Sequence, residues 1–363
     1  MPRVLLVTVV PLLHLRNQNK QVFKVELRSL GMVSEDNDQL VIIVNKFNKE
    51  TAEQLIRKNK QLPGIKTAEF FSKLDTVDTS DLQLPFSPGM DIFGNPIILD
   101  ALSTGHIGVA GQTQAGKSNT ISTSIMSLHK LSKGKFNMWI VDPTKVVAEA
   151  FKEYVQQIAT MDNALEVIRE IKQEINVRND MLSANNALNI RELPEEIKPT
   201  TLIVVVEELR QLFDSERYRK EASEIVSTVE SIIATGAKVG VYFWLCTQYL
   251  NKTGSSSIIH SQLQTRFVHW LNSPIENQTV WGNTDIANNA MATMLQGAGD
   301  FYLGVAGRSM PQRGHSVYIT GKEIKEFFNK NEGNVCQPIS ELMQENLESR
   351  LSPKVVELFS PQR

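Results

Sequence analysis

Cysteine is scarce in this 363-residue chain: Cys246 and Cys336 stand far apart, near no second thiol and no histidine cluster. That excludes a disulfide framework and a zinc site, and it suits a reducing compartment, the cytoplasm. A charge of one sign is lacking too. The 38 Lys and Arg against 40 Asp and Glu leave a formal charge of −2, so overall basicity gives no hold on nucleic acid and any such contact is local. No apolar run is long enough to span a bilayer. The opening "MPRVLLVTVVPLLHL" has the charge-then-apolar order of a secretion signal, yet it lacks a small-residue cleavage site and reads as a buried strand. Internal repeats and low-complexity tracts are absent, and 41% apolar with 21% charged residues is the composition of an ordinary globular protein.

What is there divides into three stretches. Residues 1–85 alternate strand-like runs, "VFKVELRSL" and "DQLVIIVN", with a helical pattern, "KETAEQLIRKN", and read as a small α/β domain. Asp, Ser, Pro and Gly crowd residues 76–96, which marks the passage into the next domain, 86–335. There "HIGVAG", "FNMWIVD", "TLIVVVEE", "VGVYFWLCTQ", "TRFVHWL" and "GDFYLGV" alternate with helical segments, the pattern of a mainly parallel sheet covered by helices. "MDNALEVIREIKQEINVRNDMLSANNAL" is a long amphipathic helix with a solvated charged face. Residues 336–363 read as a helical tail.

The chemistry begins at "GVAGQTQAGKSN". Gly111, four residues, then Gly116, Lys117 and Ser118 is phosphate-loop spacing, and it lies between an apolar strand and a segment with helical periodicity. Glycines let backbone N–H groups turn inward around phosphates, and a helix N-terminus adds the positive end of its dipole. Gly111, Gln112, Thr113, Gln114, Ala115, Gly116, Lys117, Ser118 and Asn119 are therefore the candidate ATP-binding residues. Lys117 neutralises the β and γ phosphates, and Ser118 supplies a hydroxyl to Mg²⁺.

A second element is expected where an apolar strand ends in acids. "TLIVVVEELRQLF" offers Glu207 to hold the metal and Glu208 to polarise the attacking water. Acids suiting the first turn of a helix are the plainer alternative. "VYFWLCTQ" ends in Thr247 and Gln248, whose amide suits contact with the γ-phosphate or the water.

These segments, in this order, resemble the motor domain of FtsK/SpoIIIE-type DNA translocases, in the wider FtsK/HerA group. The matching residues run from about Ser87 to Thr320: "GMDIFGNPIILDALSTGHIGVAGQTQAGKSN", "FNMWIVDPTK", "LIVVVEEL", "LCTQ", "TRFVHW" and "GAGDFYL". The resemblance implies a RecA-like P-loop fold and ATP hydrolysis with Mg²⁺. For individual residues it implies phosphate contacts from Gly111, Gly116 and Lys117, metal contacts from Ser118 and Glu207, catalysis by Glu208 and sensing by Gln248. It also implies a homo-oligomeric ring, usually of six subunits, around double-stranded DNA held by its backbone. Related motors pump protein instead, and a weakly hydrolysing, nucleotide-gated scaffold is a third reading.

The departures from that pattern are specific. Glu207 stands where the family usually has Asp, and Gln114 and Ala115 where it often has Gly and a small residue. The arginine usual before the sensor strand is missing from "IIATGAKVGVYF", which offers only Lys238. Arg266 is the first choice for a trans-acting cation, with a structural ion pair as the alternative and Arg308 and Arg313 as further candidates. The membrane spans and winged-helix reader of chromosomal members are not expected here, which makes the form more like translocases of plasmids, integrative elements or viruses. "YLNKTGSSSIIHSQ", with Lys252, suits a pore loop. Trp139, Trp244, Trp270 and Trp281 read as core residues.

Overall fold

The computed structural model describes residues 64–330, apart from 215, 249–256, 296 and 308–310, together with two strands nearer the N-terminus. Those two, β1 (Gln21–Val25) and β2 (Leu40–Val44), pair antiparallel. They coincide with the runs read as strands. The opening segment, the helical pattern at 49–59, Lys252, Arg308 and the tail at 336–363 lie outside the described residues.

Eleven further strands follow: β3 (Pro85–Phe86), β4 (Met90–Asp91), β5 (Leu99–Asp100), β6 (His106–Ala110), β7 (Asn137–Val141), β8 (Gln157–Ala159), β9 (Leu202–Val206), β10 (Val241–Thr247), β11 (Leu263–His269), β12 (Asp300–Val305) and β13 (Gln312–His315). Nine of them form one sheet in the order β4-β13-β12-β11-β6-β10-β9-β7-β8. From β11 to β8 every pairing is parallel, while β12, β13 and β4 add an antiparallel edge. The sheet is therefore mainly parallel, in an α/β fold of the RecA-like P-loop kind.

Strands β6, β9 and β10 are buried along their whole length, which explains their unbroken apolar runs. Side chains alternate between faces. Val204, Val206, Phe243 and Leu245 pack beneath the helices Ala164–Ala184 and Ala222–Gly236. Ile203, Val205, Trp244 and Cys246 pack on the other side with residues of the helix Lys117–Ser132. Each such fully buried apolar side chain contributes about 1.5–3 kcal/mol.

Two details depart from the sequence reading. The helix Thr67–Leu74 belongs to the packing of the large sheet: Phe70 and Leu74 join the core that holds Ile107 and Val109, and Phe71 meets Phe327 at 4.9 Å between ring centroids. The composition break near residue 85 thus falls inside one core, because the apolar partners of this helix lie some 250 residues downstream. The edge strand β8 went unread, since its first residue is glutamine and it spans three residues.

Buried His106, at the start of β6, ties the sheet to its helices. Its Nδ1 accepts from the Phe243 N–H at 3.0 Å, so Nε2 carries the proton and donates to the Ile233 carbonyl at 2.8 Å. Burial pushes its pKa down to about 4. A folded pKa below the unfolded 6.5 means stability that is full at neutral pH and is lost as pH falls from about 6.5 towards 4. Between pH 7 and pH 5 the wild type should lose about 2 kcal/mol more than His106→Gln. Urea unfolding of both proteins at the two pH values checks this; equal losses would contradict it.

Candidate nucleotide-binding site

Parallel strands leave their C-terminal ends on one edge, where ligands bind in sheets of this type. Four adjacent strands, β6, β10, β9 and β7, end there in Ala110, Thr247, Val206 and Val141. The residues that follow them make the site.

After β6 the chain turns through Gly111 (φ +153°), Gln114 (φ +64°) and Gly116 (φ +102°) into the helix Lys117–Ser132. The two glycines are required by close approach as well as by conformation. A Cβ on Gly111 would lie 2.5 Å from the His269 Cβ, and one on Gly116 would lie 2.2 Å from the Gly299 nitrogen. The loop is fastened from outside as well. Gln112 N donates to the Trp270 carbonyl at 2.9 Å, and Gly299 N donates to the Ala115 carbonyl at 2.9 Å. Thr113 and Gln114 are exposed, Ser118 and Asn119 half-buried.

Lys117 is buried and donates from Nζ to the carbonyls of Gly111 (2.9 Å) and Gln112 (3.3 Å). The same ammonium lies 3.7 Å from Glu208 Oε1. Glu208 holds a left-handed backbone, φ +47° and ψ +52°, at the start of the short helix Leu209–Phe213. For a residue with a Cβ this costs about 1–2 kcal/mol. The turn brings a half-buried carboxylate back over Lys117.

Glu207 is buried, and its Oε1 has no hydrogen-bond partner among the described residues. Loss of water pushes its pKa up to about 7, the negative charge of Asp142 adds to this, and the Cys246 hydrogen bond and Lys117 oppose it. A buried carboxylate oxygen left unpaired costs free energy unless a cation or water meets it. Gln248, half-buried, follows β10, the strand between β6 and β9. The loop, Lys117, Glu207, Glu208 and Gln248 are thus brought to one edge, as their sequence positions imply.

Arg266 is placed differently from the first-choice reading. Its guanidinium donates to the carbonyls of Val280 (3.1 Å), Trp281 (2.6 Å) and His260 (2.9 Å), which ties down the C-terminus of the helix Pro274–Trp281. Those bonds support the structural alternative, with carbonyls in place of an acid. Arg313 pairs with buried Asp300 at 2.6 Å. Lys238 precedes β10 and so sits at the opposite end of the sheet.

Other residues at the site escaped the sequence reading. Asp142, at the end of β7, accepts four hydrogen bonds, from Thr144 N and Oγ1, Val147 N and Ala148 N, at 2.6–3.1 Å. Its aspartate-proline-threonine context is a turn signal that could have shown this. His269, at the end of β11, is fully buried and bonds Thr120 Oγ1 at 3.0 Å. Trp139, Trp244 and Trp281 are core residues as expected, but Trp270 is 38% exposed.

Residues 73–251 match the FtsK/SpoIIIE family. That stretch is similar to an FtsK/SpoIIIE-type P-loop ATPase domain. The DNA translocase FtsK of Clostridium acetobutylicum is 22% identical over 301 residues, 79% of this chain and 38% of that protein. The DNA translocase FtsK of Chlorobaculum tepidum is 24% identical over 271 residues, 69% of this chain and 32% of that one. The chain thus spans about a third of the length of these curated relatives. Among solved structures, the pCW3 conjugation coupling protein TcpA superposes with a TM-score of 0.60 at 15% identity, over 80% of this chain and 88% of that one. ATPases 2 and 3 of EssC from Geobacillus thermodenitrificans give 0.56 at 14% identity, over 71% and 51%. Among the described residues, no helix is long and apolar enough to cross a membrane.

Proposed function

We propose that this FtsK-type domain hydrolyses ATP with Mg²⁺ and uses the reaction to move double-stranded DNA. The working form is a homo-oligomeric ring of six subunits in the cytoplasm, gripping the DNA backbone, in the service of a plasmid, an integrative element or a virus. One observation carries the catalytic part: Lys117 and Glu208 meet at 3.7 Å across the ends of β6 and β9, beside the unpartnered oxygen of Glu207. The family match and the DNA translocases among its relatives support the cargo.

The residues fit the implied ligands. Gly111 and Gly116 place no side chain at the two ends of the loop, Lys117 offers its charge to the β and γ phosphates, and Ser118 and Glu207 offer oxygen to Mg²⁺. When bound, Mg²⁺ supplies neutralisation of the charge that builds on the phosphate oxygens. Glu208 is placed to accept the proton of the attacking water, and Gln248 to orient that water. Glu207 has one methylene more than the Asp usual in the family, and its Oε1, without a hydrogen-bond partner among the described residues, supports a ligating role for the longer arm.

Steady-state ATPase with and without long double-stranded DNA tests the reading, with Lys117→Ala as the background. DNA is expected to raise wild-type turnover several-fold and to leave Lys117→Ala at background. Stimulation by a secreted polypeptide and not by DNA would move the cargo to protein. Wild-type turnover equal to Lys117→Ala under every condition would leave a nucleotide-gated scaffold.

A further inference from the structure

Trp270 stands out among the four tryptophans. Its neighbours His269 and Leu271 are 0% and 1% exposed, yet the Trp270 residue is 38% exposed at the same sheet edge as the phosphate loop. Its backbone is fixed. The Trp270 carbonyl accepts from Gln112 N at 2.9 Å, inside the loop itself. Two residues on, Asn272 N donates to Glu276 Oε2 at 2.9 Å, and the same carboxylate oxygen takes the Gln112 side-chain amide at 3.2 Å. The turn that presents the indole is therefore pinned to the loop at two points.

The sheet order says which end of a nucleotide would come near it. Glu207, Glu208 and Gln248 all lie on the β9 and β10 side of β6, so the reacting phosphate end faces that way. Strand β11, which ends just before Trp270, is the neighbour of β6 on the other side. With neighbouring strands about 4.8 Å apart, β9 and β11 lie about 14 Å from each other across the strand ends. A nucleoside triphosphate laid across that span, with its phosphates on the loop, carries its base away from β9 and towards β11. An exposed indole is the side chain best suited to meet a flat aromatic base.

We infer that Trp270 is the nucleobase platform of this ATPase, stacking the base of the bound nucleotide beside the phosphate loop. The inference rests on the phosphate-loop reading above and deepens it: the loop holds phosphates of any triphosphate, and Trp270 makes the site prefer a nucleotide.

The test compares, by isothermal titration on the full chain with Mg²⁺, the affinities of ATP and of inorganic tripolyphosphate, which has the phosphates and no base. Trp270→Ala is expected to weaken ATP roughly ten-fold, to leave tripolyphosphate within about two-fold, and to be largely rescued in Trp270→Phe. Tryptophan emission should respond to ATP but not to tripolyphosphate in the wild type, and the response should vanish in Trp270→Phe. Equal weakening of both ligands in Trp270→Ala, or no weakening of either, would overturn the platform while the phosphate loop stands. A wild type that binds neither ligand would overturn the phosphate-loop reading and the platform with it.

Discussion

Glu208→Gln should leave a protein that binds ATP and barely turns it over, with hydrolysis reduced about 10³-fold. The amide keeps the size and reach of the carboxylate, so the left-handed turn at φ +47° and the packing around it are preserved. What is lost is the ability to take a proton from water. Affinity should hold or rise, because Glu208 Oε1 sits 3.7 Å from the Lys117 ammonium and competes with phosphate for it. Removing that charge hands Lys117 to the nucleotide. Lys117→Ala should behave in the opposite way, losing affinity and turnover together, since the ammonium is the group that meets the phosphates. Nucleotide titrations alongside single-turnover hydrolysis separate the two. Glu208→Gln with near-normal turnover would remove Glu208 from the chemistry and leave its carboxylate as a structural partner of Lys117.

The parts of this site that were legible in the sequence are those whose chemistry is local. The phosphate loop needs a strand before it, a helix after it and glycines between, and all three are written within residues 106–132. Glu207 and Glu208 could be read because acids directly after an unbroken apolar strand fall at the ligand edge of a parallel sheet. The sheet's mainly parallel character followed from the same alternation of strands and helices.

What could not be read depends on partners distant in the chain. Arg266 looked available as a cation for a neighbouring subunit, but its bonds go to carbonyls 14 and 15 residues away, at a helix end whose position no local pattern reveals. The helix Thr67–Leu74 was assigned to the N-terminal unit because the composition changes after it, whereas its Phe71 finds Phe327 across the whole chain. Trp270 looked like core because it ends an apolar run, and only the end of β11 decides that it points to solvent while residues 269 and 271 do not. Even the glycines carry more than the motif states. The pattern asks for room around phosphates; the fold adds contacts with His269 and Gly299 that leave no room for a side chain from behind.

That second demand makes Gly116→Ala a severely damaging single methyl addition. At φ +102° an L side chain is strained whatever the space, which alone costs about 1–3 kcal/mol. The added Cβ would also fall 2.2 Å from the Gly299 nitrogen and 2.6 Å from its Cα, and both are backbone atoms that no rotamer change can move aside. Relief requires the loop and the turn at 297–300 to separate, which breaks the Gly299 N–H bond to the Ala115 carbonyl at 2.9 Å. Gly299 has little freedom to retreat, because its carbonyl accepts from Ser316 N at 3.0 Å and its own φ is +101°. The expected result is a loss of about 4 kcal/mol or more in unfolding free energy, with nucleotide binding abolished in whatever remains folded. Gly307→Ala is the matched control: its φ is +82°, but a Cβ there meets nothing within 4 Å, so only the conformational cost remains. Urea unfolding of the two variants beside the wild type separates strain from collision. If Gly116→Ala proves no worse than Gly307→Ala, the contact with Gly299 does not constrain the loop.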